Sequence, residues 1–147
     1  MAGLTVIDAN DGIERKLIDF NKSANLGLGG IAIQNGTAIC CSNIGILKVE
    51  LSGGPESIII TDNTFDNNCY VASNEKNIYF TNTMKTGTVT CCDCIGNLKW
   101  VFKDDILKYP RGVCVDNDGN VYVAGNQTNN VVVISPDGKR CKELLTK

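Results

Sequence analysis

The chain has 147 residues and no histidine. That removes the side chain most used for proton transfer near neutral pH, and the commonest metal ligand. Ser–His–Asp and Cys–His mechanisms therefore have no base within this chain. An excess of charge is also missing: 14 Lys and Arg stand against 16 Asp and Glu, a formal net charge of −2. Such a balance sets up no global field toward nucleic acid or an anionic membrane. No apolar run approaches the roughly 18 residues that a membrane-spanning helix needs. No basic segment followed by an apolar stretch stands near Met1, so no secretory leader is read. Helical periodicity is absent too, with Asp104–Lys108 the sole candidate for a helical turn. The eight cysteines fall short of the roughly 8–10% typical of a small disulfide scaffold. They are expected as free thiols of a cytoplasmic protein.

What is abundant is Val, Ile and Thr, together about a quarter of the chain, a composition that favours strands. Four glycines stand 42 residues apart, at Gly12, Gly54, Gly96 and Gly138. Their surroundings repeat with them. Five positions earlier are Ile7, Val49, Cys91 and Val133, and six positions later Ile18, Ile60, Phe102 and Leu144. Each glycine sits between two strand-like runs, most clearly Val131–Ile134, then Ser135-Pro136-Asp137-Gly138. Asp-Gly is a strong hairpin signal because glycine accepts the positive φ of a tight turn. A second hairpin precedes the last three: Val113 and Val115 before Asp118-Gly119, Tyr70–Ala72 before Ile78–Phe80, and Ile31–Ile33 before Asn35-Gly36.

Four short antiparallel strands in about 40 residues is the period of a β-propeller blade. The spacing predicts an all-β partial propeller of about three and a half blades with a 42-residue period. Residues 4–20 read as a half blade, and 28–62, 69–104 and 110–146 as full blades, all in one propeller fragment over 1–147. Closed propellers have about four to eight blades. The chain is thus expected to be a truncated piece of a longer propeller, or to associate through its open edges. Two copies would supply six full blades and two spare hairpins.

The last repeat reads Tyr109-Pro110-Arg111-Gly112-Val113-Cys114-Val115-Asp116, then Asp118-Gly119-Asn120-Val121-Tyr122-Val123, then Val131–Ile134 with Ser135-Pro136-Asp137-Gly138-Lys139. It resembles an NHL repeat, and Gly96-Asn97-Leu98-Lys99-Trp100-Val101-Phe102 looks like the same family. The style is similar to the C-terminal NHL propellers of tripartite-motif proteins. That resemblance implies a non-catalytic module that recognises protein or RNA, as the substrate-recognition end of a ubiquitin ligase whose catalytic parts lie in other modules. The arginine that such repeats carry before the third strand is missing, with Asn129-Asn130 and Gly87-Thr88 in its place. Other propellers that this chain resembles are lactonases or lyases, with metal-binding carboxylates and histidines around the channel.

Binding is expected at the end of the propeller where the outer strand joins the next blade and the second strand joins the third. The candidates there are Arg111, Lys85, Tyr109, Asn126, Asn129 and Asn130. Arg111 precedes an innermost strand, and its guanidinium could take a carboxylate or phosphate in bidentate fashion; its alternative partners are Asp104 and Asp105. Tyr109 could stack on a base or an apolar side chain. Trp100 is read as covering a seam between blades.

Cys91-Cys92-Asp93-Cys94 contains a C-x-x-C, but residues three apart in a strand point to opposite faces, so these are read as structural thiols. Gly27-Leu28-Gly29-Gly30 imitates a dinucleotide fingerprint, yet it opens a strand rather than a helix. Asp116, Asp118 and Asn120 lack the placement of a calcium loop. No metal, cofactor or catalytic residue is expected. The expected partner is a protein, with RNA as the alternative and self-association through open edges as a third course.

Overall fold

The computed structural model describes residues 3–7, 10–19, 28–65, 68–83 and 87–146. A hairpin of β1 (Gly3–Ile7) and β2 (Glu14–Asp19) comes first. Three four-stranded antiparallel sheets follow. The first holds β3 (Leu28–Gln34), β4 (Thr37–Ser42), β5 (Gly45–Glu50) and β6 (Ser57–Thr61). The second holds β7 (Val71–Ser73), β8 (Asn77–Asn82), β9 (Thr88–Asp93) and β10 (Leu98–Phe102). The third holds β11 (Pro110–Val115), β12 (Val121–Gly125), β13 (Asn130–Ile134) and β14 (Cys141–Leu145). In each sheet the strands pair in chain order, the four-stranded meander of a propeller blade, as the 42-residue spacing predicts. Asp104–Lys108 is a turn rather than a helix: Leu107 N donates to Asp104 O at 3.1 Å, and Ile106 N to Asp104 Oδ1 at 2.9 Å.

The first strand of each sheet lies beside the first strand of the next, β3 against β7 and β7 against β11. Backbones approach closely there. A Cβ on Gly29 would stand 2.2 Å from Cys69 O, and one on Gly30 2.8 Å from Tyr70 Cα. The glycine run that imitates a nucleotide fingerprint is thus the contact between two inner strands.

Apolar side chains pack between the sheets. Ile39, Cys41 and Ile46 meet Val71, Ile78, Phe80 and Cys92 in one cluster. Tyr79, Val89, Cys91 and Phe102 meet Val121, Val123, Val132 and Ile134 in the next. Ala38, Cys40, Leu47 and Val49 form a third cluster on the opposite face of β4–β5. Strands β4 and β8 therefore bury both faces, which explains their unbroken apolar runs Ala38–Cys41 and Ile78–Phe80. Strand β12 buries alternate residues only.

Two of the four repeated glycines, Gly96 and Gly138, have a second purpose beyond the turn. Gly138 has φ +71°, and a Cβ there would lie 2.5 Å from Trp100 Cδ2. The indole rests on that turn and donates from Nε1 to Pro136 O at 2.9 Å. Gly96 repeats the arrangement one sheet earlier, where a Cβ would lie 2.3 Å from Ile59 O. The β9–β10 and β13–β14 turns thus each lean on the outer strand of the preceding sheet. Trp100 seals a seam, as the sequence suggests.

Candidate functional site

Alternation along the meander gathers five connections between described strands at one end of the sheets: β4–β5, β6–β7, β8–β9, β10–β11 and β12–β13. Two threonines hold this end together. Thr81 Oγ1 donates to Arg111 O at 3.0 Å and accepts from Tyr70 N at 3.1 Å. Thr83 Oγ1 lies 2.7 Å from Asn68 O and 2.6 Å from Pro110 O. Both are buried. They bridge the end of β8 to the approach to β7 on one side and to β11 on the other.

Of the six candidates, Arg111, Tyr109, Asn126, Asn129 and Asn130 fall on β11, β13 and their approaches, and Lys85 lies outside the described residues. Arg111 is half-buried, and its Nε is a buried donor with no hydrogen-bond partner. Neither carboxylate named as its alternative is ion-paired with it. Asp105 pairs with Lys108 at 3.3 Å, and Asp104 caps its own turn. Tyr109 has φ 52° and is 40% exposed. Its carbonyl accepts from Asn126 N at 3.0 Å, which ties β10–β11 to β12–β13. Asn126 and Asn129 are exposed.

Asn130 requires a correction. It is buried, its Nδ2 donates to Ile106 O at 2.7 Å, and its Oδ1 accepts from Thr128 Oγ1 at 2.6 Å. Both ends of the amide are engaged in holding loops together, so its place is beneath the surface of this end rather than on it. Asn82 was not singled out by its sequence. It is 3% exposed, donates from Nδ2 to Thr64 Oγ1 at 2.7 Å, and leaves Oδ1 without a partner.

The opposite end holds a cleft of about 590 Å³ between the β7–β8 and β11–β12 turns. Of the three acidic residues that line it, Glu75, Asp116 and Asp118, Asp116 has its carboxylate filled by its own turn. Oδ1 accepts from Asp118 N and Asn120 N, and Oδ2 from Asn120 Nδ2 and Tyr122 Oη, all at 2.8–3.0 Å. Asp93 is bonded the same way by Ile95 and Asn97. The Asn120 side chain, and next its backbone, hold Asp116 below the usual carboxylate range, and backbone bonding from Asn97 does so for Asp93. A depressed folded pKa gives stability that is present above the unfolded value of about 3.9 and lost as pH falls through the folded value. The urea midpoint is therefore expected to drop below about pH 4, and Asp116→Asn to flatten part of that drop. A midpoint level down to pH 3 would count against these turns.

Cys91 and Cys92 point into different clusters, as expected of adjacent strand residues. Burial pushes the Cys40 and Cys91 thiols up to about 11, Cys92 up to about 12, and Cys41 upward as well. Such thiols carry no thiolate at neutral pH and stay inert. Cys40, Cys41, Cys69, Cys91 and Cys92 are buried. They are expected to resist a thiol reagent until denaturant is added, which a timed labelling and mass measurement would check. Among the described residues, no three His, Cys, Asp or Glu side chains converge as metal ligands would.

Three sheets of sequential four-stranded meanders, packed face to face around adjoining inner strands, define a β-propeller architecture. A family model described as SMP-30/Gluconolactonase/LRE-like region matches residues 42–147, and the chain belongs to that family. No curated protein matches. Among solved structures, a nidogen/laminin complex superposes with a TM-score of 0.76 at 18% identity, covering 96% of this chain and 56% of that one. A streptogramin B lyase gives 0.72 at 15% identity, covering 95% and 46%. A catalytically inactive virginiamycin B lyase from Staphylococcus aureus with quinupristin gives 0.71 at 16% identity, covering 92% and 46%. At these identities the likeness is one of fold. The chain spans about half the length of the solved chains it matches. The propeller expectation holds in this family, whereas none of these matches is to an NHL or tripartite-motif protein.

Proposed function

We propose that this chain is a recognition module that binds a protein partner at the end carrying Arg111 and Tyr109. The observation that carries the reading is the Arg111 Nε, buried and unpartnered, two residues along the chain from the exposed Tyr109. A desolvated charged donor awaits an acceptor, and a peptide carboxylate or main-chain carbonyl supplies one. Asn126 and Asn129 flank it with exposed amides. A protein is favoured over RNA because the net charge is −2 and the third-strand arginines are absent. Nothing in this reading depends on a ligase parent.

An array of random peptides, probed with the wild-type chain and with Arg111→Ala, tests it. A subset rich in Asp and Glu is expected to bind. Loss of a charge-assisted hydrogen bond of about 1.5–3 kcal/mol would weaken those spots roughly tenfold or more. Equal binding by both proteins, or none by either, would overturn it. Binding to single-stranded RNA that falls steeply with salt would turn the preference to nucleic acid.

A second reading, a propeller hydrolase or lyase, is favoured by the family match. The described residues do not fit the metal centre that such enzymes use, for want of histidine and of converging carboxylates. Turnover of simple lactones by the purified chain, above the buffer rate, would favour this reading over recognition.

A further inference from the structure

We propose that Tyr109 selects the partner: a strained backbone holds its ring outside the core, where it takes a flat apolar side chain, a proline or an aromatic, next to the acidic group that Arg111 binds. The inference rests on the recognition reading above and adds what the partner carries beside its acidic residue. Among the described residues, three that are not glycine have a positive φ: Asn35 at 48°, Tyr109 at 52° and Asn129 at 51°. Asparagine tolerates this left-handed region, because its short amide bonds to nearby backbone. Tyrosine pays for it in full, since its Cβ crowds the following carbonyl oxygen and its bulk gives nothing back. Tyr109 also stands before Pro110, whose ring steers the preceding residue toward extended conformations. Elsewhere the fold meets the same demand with glycine, as at Gly36 and Gly138.

The conformation is imposed from both sides of the residue. Lys108 O accepts from Gln127 N at 3.2 Å, Tyr109 O from Asn126 N at 3.0 Å, and Pro110 O lies 2.6 Å from Thr83 Oγ1. These ties fall on main-chain carbonyls, which any residue at 109 would supply. The ring is not what the core holds. Leu107 and Pro110 are buried on either side of it, whereas Tyr109 is 40% exposed and belongs to none of the packed clusters. Strain that the interior does not use is kept where a surface needs it. A tyrosine ring brings a large contact area at little cost in rotamer freedom, which is why such residues anchor interfaces. Arg111, two residues on, carries a permanent positive charge, which disfavours a cation on that ring. Proline and aromatic side chains offer the uncharged flat face that covers it best.

Arrayed peptides that pair Asp or Glu with a neighbouring Pro, Phe, Ala or Lys test the proposal, with urea midpoints measured on the same proteins. The wild type is expected to bind the Pro and Phe sets roughly tenfold more tightly than the Ala and Lys sets. Tyr109→Gly should lose that preference while its midpoint stays at or above the wild-type value, because glycine accepts φ 52° without strain. Tyr109→Ala should lose the preference too, with a midpoint below that of Tyr109→Gly, since it keeps a Cβ. Tyr109→Phe should bind as the wild type does. Asn35→Gly, at the other left-handed site in the β3–β4 turn, should leave the preference intact. A midpoint for Tyr109→Gly well below the wild type would make the ring a support of the fold and overturn the proposal. So would acidic peptides bound through Arg111 with no preference for the neighbour, with a preference for Lys, or with one that survives Tyr109→Gly. Those binding outcomes leave the recognition reading standing, whereas no binding by the wild type, or binding indifferent to Arg111→Ala, removes both.

Discussion

Tyr79→Ala is expected to cost about 3–5 kcal/mol of stability, the range for removing a large buried aromatic side chain. Tyr79 is 1% exposed and sits where the second and third sheets meet. Its ring lies 6.1 Å from that of Trp100. Asn74 Nδ2 and Asn77 Nδ2 donate to its hydroxyl at 3.2 and 3.1 Å, and Lys99 Nζ in turn donates to Asn77 Oδ1 at 2.5 Å. Tyr79→Phe separates the two contributions. It keeps the ring and strands two amide donors, so its cost should be nearer 1–3 kcal/mol. Urea unfolding of the three proteins at one concentration measures both. Equal midpoints for wild type and Tyr79→Ala would mean that this seam does not hold the sheets together.

Gly138→Ala is the second large effect. An L-residue at φ +71° costs roughly 1–2 kcal/mol by itself. The new methyl would also stand 2.5 Å from Trp100 Cδ2, and overpacking of that kind adds roughly 1–3 kcal/mol. Gly36→Ala is the matched control. Its φ is +74°, yet nothing lies within 4 Å of a Cβ there. The control should show the backbone cost alone, and the difference between the two variants should report the indole. A Trp100 emission change is expected in Gly138→Ala and not in Gly36→Ala. If the two variants unfold at the same urea concentration, the seam contact carries no weight.

These two residues also mark how far the sequence could be read. The turn glycines were visible as a 42-residue spacing because a tight turn imposes its demand locally. Their contact with the preceding sheet was not visible, since nothing local to Gly138 names Trp100. Strands were legible through alternation, whereas the two-sided burial of β4 and β8 emerges only once the neighbouring sheets are packed against them. At the candidate site the same divide appears. Arg111 and Tyr109 could be placed at the end of the inner strand by counting strands. That Asn130 would reach Ile106 O, 24 residues away, needed the loops to be folded against each other. Thr81 and Thr83 escaped notice for a related reason: their hydroxyls bond to main-chain atoms of β11 and of the β6–β7 connection, and main-chain acceptors leave no mark in sequence. The choice of family was the least legible of all. Hairpin turns and β-branched strands are what any propeller repeat requires, so the pattern of residues 109–139 does not separate NHL repeats from the family that matches.

Each sheet is drawn from one uninterrupted stretch of chain, with strands paired in order. Among the described residues no strand pairs with one from a distant part of the polypeptide, so each meander can zip up at a small cost in loop closure. A finished meander still has two apolar faces and only one neighbour at a time to cover them. Folding should therefore advance like a row of tiles, each sheet fixed by the arrival of the next, as nearest-neighbour coupling describes for repeat arrays. In such a row the middle tile is the last to loosen. Here that is the sheet of β7–β10, clasped on one side by Ile39, Cys41 and Ile46 and on the other by Val121, Val123 and Val132.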